Sequence, residues 1–295
     1  MRVFVTGATG FIGSAIVQEL IHSGHRVLGL TRSDAGAKSL VAAGAEVHRG
    51  DLENLESLRS GAAAADAVIH TAFIHDFSKF QENCEIDRRA IETLGDALAG
   101  SNRPFIVTSG TGVLAPGRLA TEEIDAPSDS PFPRVSEQAA LQWVARGVRV
   151  SVMRLPQVHD TVKQGLVTYA IQAAREKGVA AYVGDGLNRW PAAHRLDTAH
   201  LYCLALEKAD AGDRYHAVAE EGVPARDIAE AIGRGLKVPV VSITPEESAK
   251  HFGWLAAFLA WDIPASSAHT REKLGWNPTG PGLIADLDNM RYFPA

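Results

Sequence analysis

Six short apolar runs punctuate the first half of the chain: RVFVT (2–6), RVLGLT (26–31), AEVHR (45–49), AVIHTA (67–72), PFIVTS (104–109) and VRVSVMRL (148–155). Each is nearly continuous rather than alternating, the pattern of strands covered on both faces. Helical periodicity fills the gaps between them. Ile12, Ala15, Ile16 and Leu20 form one apolar stripe, and Ala139, Ala140, Trp143 and Val144 form another. Regular alternation of strand and helix predicts an α/β fold, a doubly wound parallel sheet with helices on both faces.

The rhythm changes after about residue 156. A helical stretch (167–178) leads to a short strand (180–184) and then to a loop, GDGLNRWPAAHRLD (184–197), with Asp197 as N-cap of the next helix. A strand (214–219), a helix (225–236), a strand (238–243) and two more helices follow. The expected division is a dinucleotide-binding domain over 1–156 and a smaller α/β substrate lobe over 157–295. The two interleave, with the helix at 199–211 expected to return to the first domain.

The first candidate chemistry lies directly after the first strand. VTGATGFIG places Gly7, Gly10 and Gly13 in a strand–turn–helix. Glycine allows the tight turn, and bare backbone amides at a helix N-terminus suit a pyrophosphate. In this context the spacing is a strong signal for a Rossmann-type dinucleotide site. Thr9, Phe11 and Ile12 fall in the same turn. The second strand ends in Thr31, Arg32 and Ser33, where NAD sites usually carry an acid for the ribose hydroxyls. A guanidinium there suits a 2′-phosphate, so NADP(H) is favoured; Asp34 keeps NAD(H) open. Asp51 and Leu52, after the third strand, are placed to bracket the adenine.

Composition and charge narrow the function classes. Of 295 residues 46% are hydrophobic and 22% charged, and the formal charge is −6 with no basic block. A nucleic-acid or membrane partner is therefore not expected, and a small-molecule substrate is. Cys84 and Cys203 stand alone, without metal-ligand or disulfide spacing, and no metal site is expected. The N-terminus enters a strand at once, so no signal peptide is expected, and the location expected is cytoplasmic.

The order of TGATGFIG, GDL (50–52), VIHTA (68–72), FIVTSG (105–110), MRLPQVHD (153–160) and HRLD (194–197) resembles the extended short-chain dehydrogenases/reductases, the NAD-dependent epimerase/dehydratase-like superfamily. The resemblance covers nearly the whole chain. It implies that Thr71, Ala72, Phe73, Thr108 and Pro156 also face the cofactor. It further implies a homodimer contact through helix 134–147, where Trp143 faces either a partner or the sheet.

One departure is decisive for mechanism. The family uses a Tyr and a Lys four residues apart, and no Tyr here has a Lys at that distance. Aligned on SEQAA, Pro133 takes the Tyr position and Glu137 the Lys position, while Gly110 takes that of the usual Ser or Thr. Glu137 is then either a ribose holder or part of a helix cap. Proton transfer must come from elsewhere. His75 and Asp76 follow the fourth strand, and His159 and Asp160 follow the sixth. Both histidines sit where an open α/β sheet binds its ligand. Thr108, Ser109 and Thr111 are expected to orient a substrate oxygen, with Asp76, Gln157 and Trp190 lining the substrate. Three functions stay open: an NAD(P)(H)-dependent oxidoreductase with a nonstandard proton donor, a dinucleotide sensor without turnover, and an epimerase or dehydratase.

Overall fold

The structure is a computed structural model and describes residues 1–112, 114–127 and 132–292. Twelve strands occur among these residues: β1 (Arg2–Thr6), β2 (Arg26–Thr31), β3 (Glu46–Arg49), β4 (Ala67–His70), β5 (Pro104–Gly110), β6 (Arg149–Leu155), β7 (Gln157–His159), β8 (Ala180–Val183), β9 (Arg189–His194), β10 (Arg214–His216), β11 (Glu220–Pro224) and β12 (Val240–Ile243). The α-helices are α1 (Phe11–His22), α2 (Asp34–Ala42), α3 (Leu55–Ala63), α4 (Phe80–Leu98), α5 (Ser136–Leu141), α6 (Val167–Lys177), α7 (Arg195–Lys208), α8 (Ala225–Leu236), α9 (Pro245–Phe252), α10 (Ala256–Leu259), α11 (Ala268–Leu274) and α12 (Leu283–Asp288).

Seven strands form one parallel sheet in the order β10-β6-β5-β4-β1-β2-β3. Val3, Phe4, Val5, Val68, Ile69, Phe105 and Val107 are fully buried, as strands with helices on both faces require. On one face Ile16 and Leu20 of α1 pack with Leu201, Tyr202 and Leu206 of α7. On the other, Leu58 of α3, Ile91, Leu94 and Leu98 of α4 and Ala140 of α5 form a second layer. The strand order reverses between β1 and β4, and the crevice outside the carboxyl ends there is the usual ligand position in such sheets.

The structure departs from the expectation in several places. GDGLNRWPAAHRLD is not a loop throughout, because β9 runs through it between β7 and antiparallel β11. Trp190–Ala193 are buried together, so no alternation betrays the strand, and Pro191 argues against one locally. Asp197 is not the N-cap of α7. His194 takes that place, accepting from the Leu196 amide at 3.3 Å, while Asp197 accepts from the Thr279 and Gly280 amides. Residues 195–216 pack as part of the seven-stranded layer, through α7 and β10. The helix read over 134–147 is shorter: α5 covers 136–141, and a 3₁₀ turn covers Val144–Arg146. Trp143 packs over Gly95 of α4, where a Cβ would meet the indole at 2.4 Å, so its ring belongs to the core. Among the described residues no helix is long and apolar enough to cross a membrane.

Candidate dinucleotide and substrate cleft

A cleft of about 920 Å³ runs along the carboxyl ends of β1 to β6. One end is built by the glycine turn. Gly7 has φ +68, and Gly10 caps α1 without any side-chain hydrogen bond. The first amides of α1 therefore face the cleft without a side-chain partner, as a phosphate site requires. Arg195 braces this turn: it donates to Ser14 Oγ at 2.7 Å and lies over the Phe11 ring at 4.9 Å.

Thr31, Arg32 and Ser33 line the next stretch. Ser33 is the N-cap of α2, accepting from Gly36 N at 3.0 Å. Asp34 sits one residue inside the helix, with its carboxylate turned to Arg49 at 2.5 Å rather than lining the cleft. Asp51 and Leu52 line the cleft too, but the Asp51 carboxylate also closes its own turn by accepting from Glu53 N and Asn54 N.

At the other end the cleft passes Thr71, Ala72, Phe73 and His75, then Thr108, Ser109 and Thr111, then Pro156 and Gln157, with Trp190 behind. The Thr108 hydroxyl does not face a ligand. It donates to His70 O at 2.7 Å and meets Tyr202 Oη at 2.6 Å. Gln157 Oε1 accepts from Leu166 N, and the Trp190 indole donates to Trp261 O. Ser109 is different: its hydroxyl bonds to no described residue. His75 stands at the cleft wall, its ring edge-on to Phe73 at 5.3 Å. The surrounding protein, then the Arg134 and Lys163 charges, hold the His75 pKa below its usual value.

Three expected site residues are elsewhere. Glu137 does not face the cleft. It is buried under α5, where Arg154 grips it through two bonds of 2.9 and 2.7 Å and Arg214 adds a third at 2.6 Å. A carboxylate so engaged is not placed to hold a ribose. His159 is fully buried and not on the cleft wall; its Nδ1 lies 2.6 Å from Asp286 Oδ2, joining β7 to α12. Burial lowers its pKa, and the pairing makes it a structural fastening. Asp76 points away, capping the turn at Phe77–Lys79 through Ser78. Asp160, next to His159 in the chain, likewise closes a turn and pairs with Arg195 at 3.2 Å. The structure also brings Cys203 together with His25 and Glu207, donor atoms lying within 4.8 Å of one another. Their separation in sequence hides the cluster from any spacing rule.

Arg134 and Lys163 went unread as cleft residues, and both line it. Arg134 stands one residue after the missing Tyr, a usable positional signal. Its Nε donates to Ser136 Oγ at 2.9 Å and its Nη2 to Thr108 O at 3.2 Å. Ser136 in turn donates to Asp87 at 2.5 Å, and Asp87 meets His70 Nε2 at 3.1 Å. Burial works against the Asp87 carboxylate, but the bonds from His70 and Ser136 and the Arg134 charge leave its pKa lowered. Lys163 reaches over Phe11 at 5.9 Å.

A parallel sheet with an uncapped glycine turn at its switch point defines a Rossmann-type, dinucleotide-binding class of protein. The model of the NAD dependent epimerase/dehydratase family matches residues 3–219, and the chain belongs to that family. It is 50% identical to an uncharacterized protein of Schizosaccharomyces pombe, over 99% of this chain and all of that one. It is 27% identical to the decarboxylating sterol-4-alpha-carboxylate 3-dehydrogenase of Dictyostelium discoideum, over 76% of this chain and 73% of that one. The fold is similar to that of DesIV, a dTDP-glucose 4,6-dehydratase of Streptomyces venezuelae solved with NAD and TYD bound. The TM-score is 0.80 at 19% identity, covering 99% of this chain and 96% of that one.

Proposed function

We propose that this chain is an NADP(H)-dependent oxidoreductase that interconverts a carbonyl compound and its alcohol, with His75 handling the proton. The carrying observation is the cleft itself: an uncapped glycine turn at one end, and at the other His75 with a Ser109 hydroxyl that bonds to no described residue. The turn amides suit the pyrophosphate. Thr71, Ala72, Phe73 and Pro156 are taken to flank the nicotinamide. The dinucleotide supplies or takes the hydride when bound. Ser109 and nearby backbone amides orient the substrate oxygen, and His75 gives it a proton in reduction and removes one in oxidation.

The NADP(H) preference rests on Arg32, which lies exposed at the cleft while Asp34 is committed to Arg49. Arg32→Ala is expected to weaken NADPH binding about tenfold and leave NADH within about twofold, as loss of one charge-assisted contact implies. Isothermal titration with both cofactors measures this. Equal losses for both, or tighter NADH binding by the parent chain, refute the 2′-phosphate role.

His75 predicts a pH profile. Its folded pKa is depressed, so near pH 7 the ring is largely neutral and is a better base than acid. Reduction needs the protonated ring. Its kcat/KM is expected to rise as pH falls toward a pKa below 6.5 and to drop about tenfold per pH unit above it. His75→Phe keeps the ring packing on Phe73 and should cost about a hundredfold while flattening that profile. An unchanged profile in the variant rules His75 out.

A second reading, a dinucleotide sensor without turnover, draws on Pro133 and the ion-paired Glu137 at the positions of the family's catalytic pair. Tight NADPH binding without turnover across an aldehyde and ketone panel would favour it.

A further inference from the structure

We infer that the substrate half of the cleft takes a flat, apolar aldehyde or ketone that carries a carboxylate, and that Arg134 is the residue that holds that carboxylate. The inference rests on the redox reading of the same cleft and deepens it by naming a substrate class.

The guanidinium is held in one orientation by the protein. Its Nε is bound to Ser136 and its Nη2 to the Thr108 carbonyl, so one edge of the fork is committed. Its face is held over the Phe73 ring at 4.4 Å. What is left is the end-on edge. Nη1 donates to no described residue, and Nη2 retains a second hydrogen. Two parallel donors in a fixed plane match a carboxylate, and a lysine cannot supply that geometry.

Charge argues the same way. The Arg134 side chain is only 27% exposed, and a charge that has lost much of its water requires a partner. Among the described residues the carboxylate that pairs with it, Asp87, comes no closer than 3.9 Å, on the Nε side, and is already bonded to Ser136 and His70. Among the described residues, the acids that line the cleft, Asp51 and Glu53, follow β3, while Arg134 stands beside β5, and Lys163 is a further cation of the lining. An anion is thus favoured at this end and a cation is not.

The walls set the rest of the molecule. Phe132, Phe258 and Trp261 pack edge-on or tilted at 5.1–5.6 Å, and Tyr169 extends the same surface. Aromatic rims of this kind bind planar apolar groups by stacking and area burial.

The test compares acids with their methyl esters on the full chain with NADPH: 4-formylbenzoate and 3-benzoylpropanoate against their esters. In each pair the acid should have the higher kcat/KM, by tenfold to about a hundredfold, the range expected for a charge-assisted fork. Arg134→Met should bring the acid down to its ester, and Arg134→Lys should leave an intermediate preference. Equal rates for acid and ester in the parent chain overturn the inference, as does a preference that survives Arg134→Met.

A second arm needs no turnover. Binding of 3-phenylpropanoate and 3-phenylpropanamide to the NADP⁺ complex is followed by tryptophan fluorescence. The acid should bind at least tenfold tighter than the amide, and Arg134→Met should abolish the difference. If the acid binds so but no carbonyl compound is turned over, the anchor stands and the redox reading falls. If neutral ketones are reduced while acid and amide bind alike, the redox reading stands and the anchor falls. If Arg134→Met weakens NADP⁺ itself and leaves the acid preference intact, Arg134 is a ribose contact and the inference fails.

Discussion

Restoring the family's lysine by Glu137→Lys is expected to destabilise this protein severely and to restore no catalysis. Arg154 is fully buried and depends on Glu137 for two of its hydrogen bonds; Arg214 depends on it for another. The remaining Arg154 protons go to Glu122 O, Ile124 O and His216 Nε2, so this one side chain ties the 122–124 segment to the sheet. Removing one partner of a buried pair costs about 3–5 kcal/mol, because the other charge is left without compensation. A lysine adds like-charge repulsion from two arginines. Against a total stability of roughly 5–15 kcal/mol, that is a large fraction. The melting temperature should fall by about 10 °C or more, read by calorimetry or circular dichroism. Glu137→Gln keeps the shape and one acceptor, and should fall in between. A Glu137→Lys protein that melts like the parent would show that the cluster contributes little, and would reopen a cleft-facing role for position 137.

The same cluster explains why the active-site reading from sequence was uneven. The seven-stranded layer was legible because its cause is local: near-continuous apolar runs, helical stripes such as Ile16 and Leu20, and a glycine turn between them. Sequence does not separate the roles of Ser33 and Asp34, since either residue type can cap a helix and only the hydrogen bond from Gly36 N to Ser33 decides. Glu137 was read by position, as the stand-in for a lysine. Its orientation is set by Arg154 and Arg214, 17 and 77 residues away, which no local pattern reports. His159 is the same case, for Asp286 lies 127 residues along the chain. The dipeptide His159–Asp160 suggested a tuned catalytic pair. In the fold the two side chains part, one to α12 and one to Arg195. Strand β9 was missed because continuous burial over Trp190–Ala193 removes alternation, and because Pro191 lies in a sheet's interior strand; edge strand β11, EEGVP, carries a glycine, a proline and a single buried residue, so it gives no apolar run. What sequence does carry for the cleft is the backbone requirement, since glycine is chosen by geometry rather than by a distant partner.

That requirement predicts the largest loss of cofactor binding. In Gly13→Ala the new Cβ would lie 2.0 Å from Gly7 O and 2.8 Å from Gly7 C. Both are backbone atoms, so no side chain can swing aside, and the turn must open. Opening it moves the first amides of α1, the groups proposed to meet the pyrophosphate, by an appreciable fraction of a hydrogen-bond length. NADPH affinity should fall at least about a hundredfold, the equivalent of losing two or more charge-assisted bonds. Gly24→Ala separates this from ordinary backbone strain. Gly24 has φ +81, so the substitution costs about 1–2 kcal/mol of conformational energy, yet nothing lies within 4 Å of its Cβ. It should lower the melting temperature and leave NADPH affinity as it was. Titration of both variants with NADPH decides the matter. If Gly13→Ala binds like the parent, the helix amides are not the anion site; if Gly24→Ala loses affinity equally, the effect belongs to stability and not to the turn.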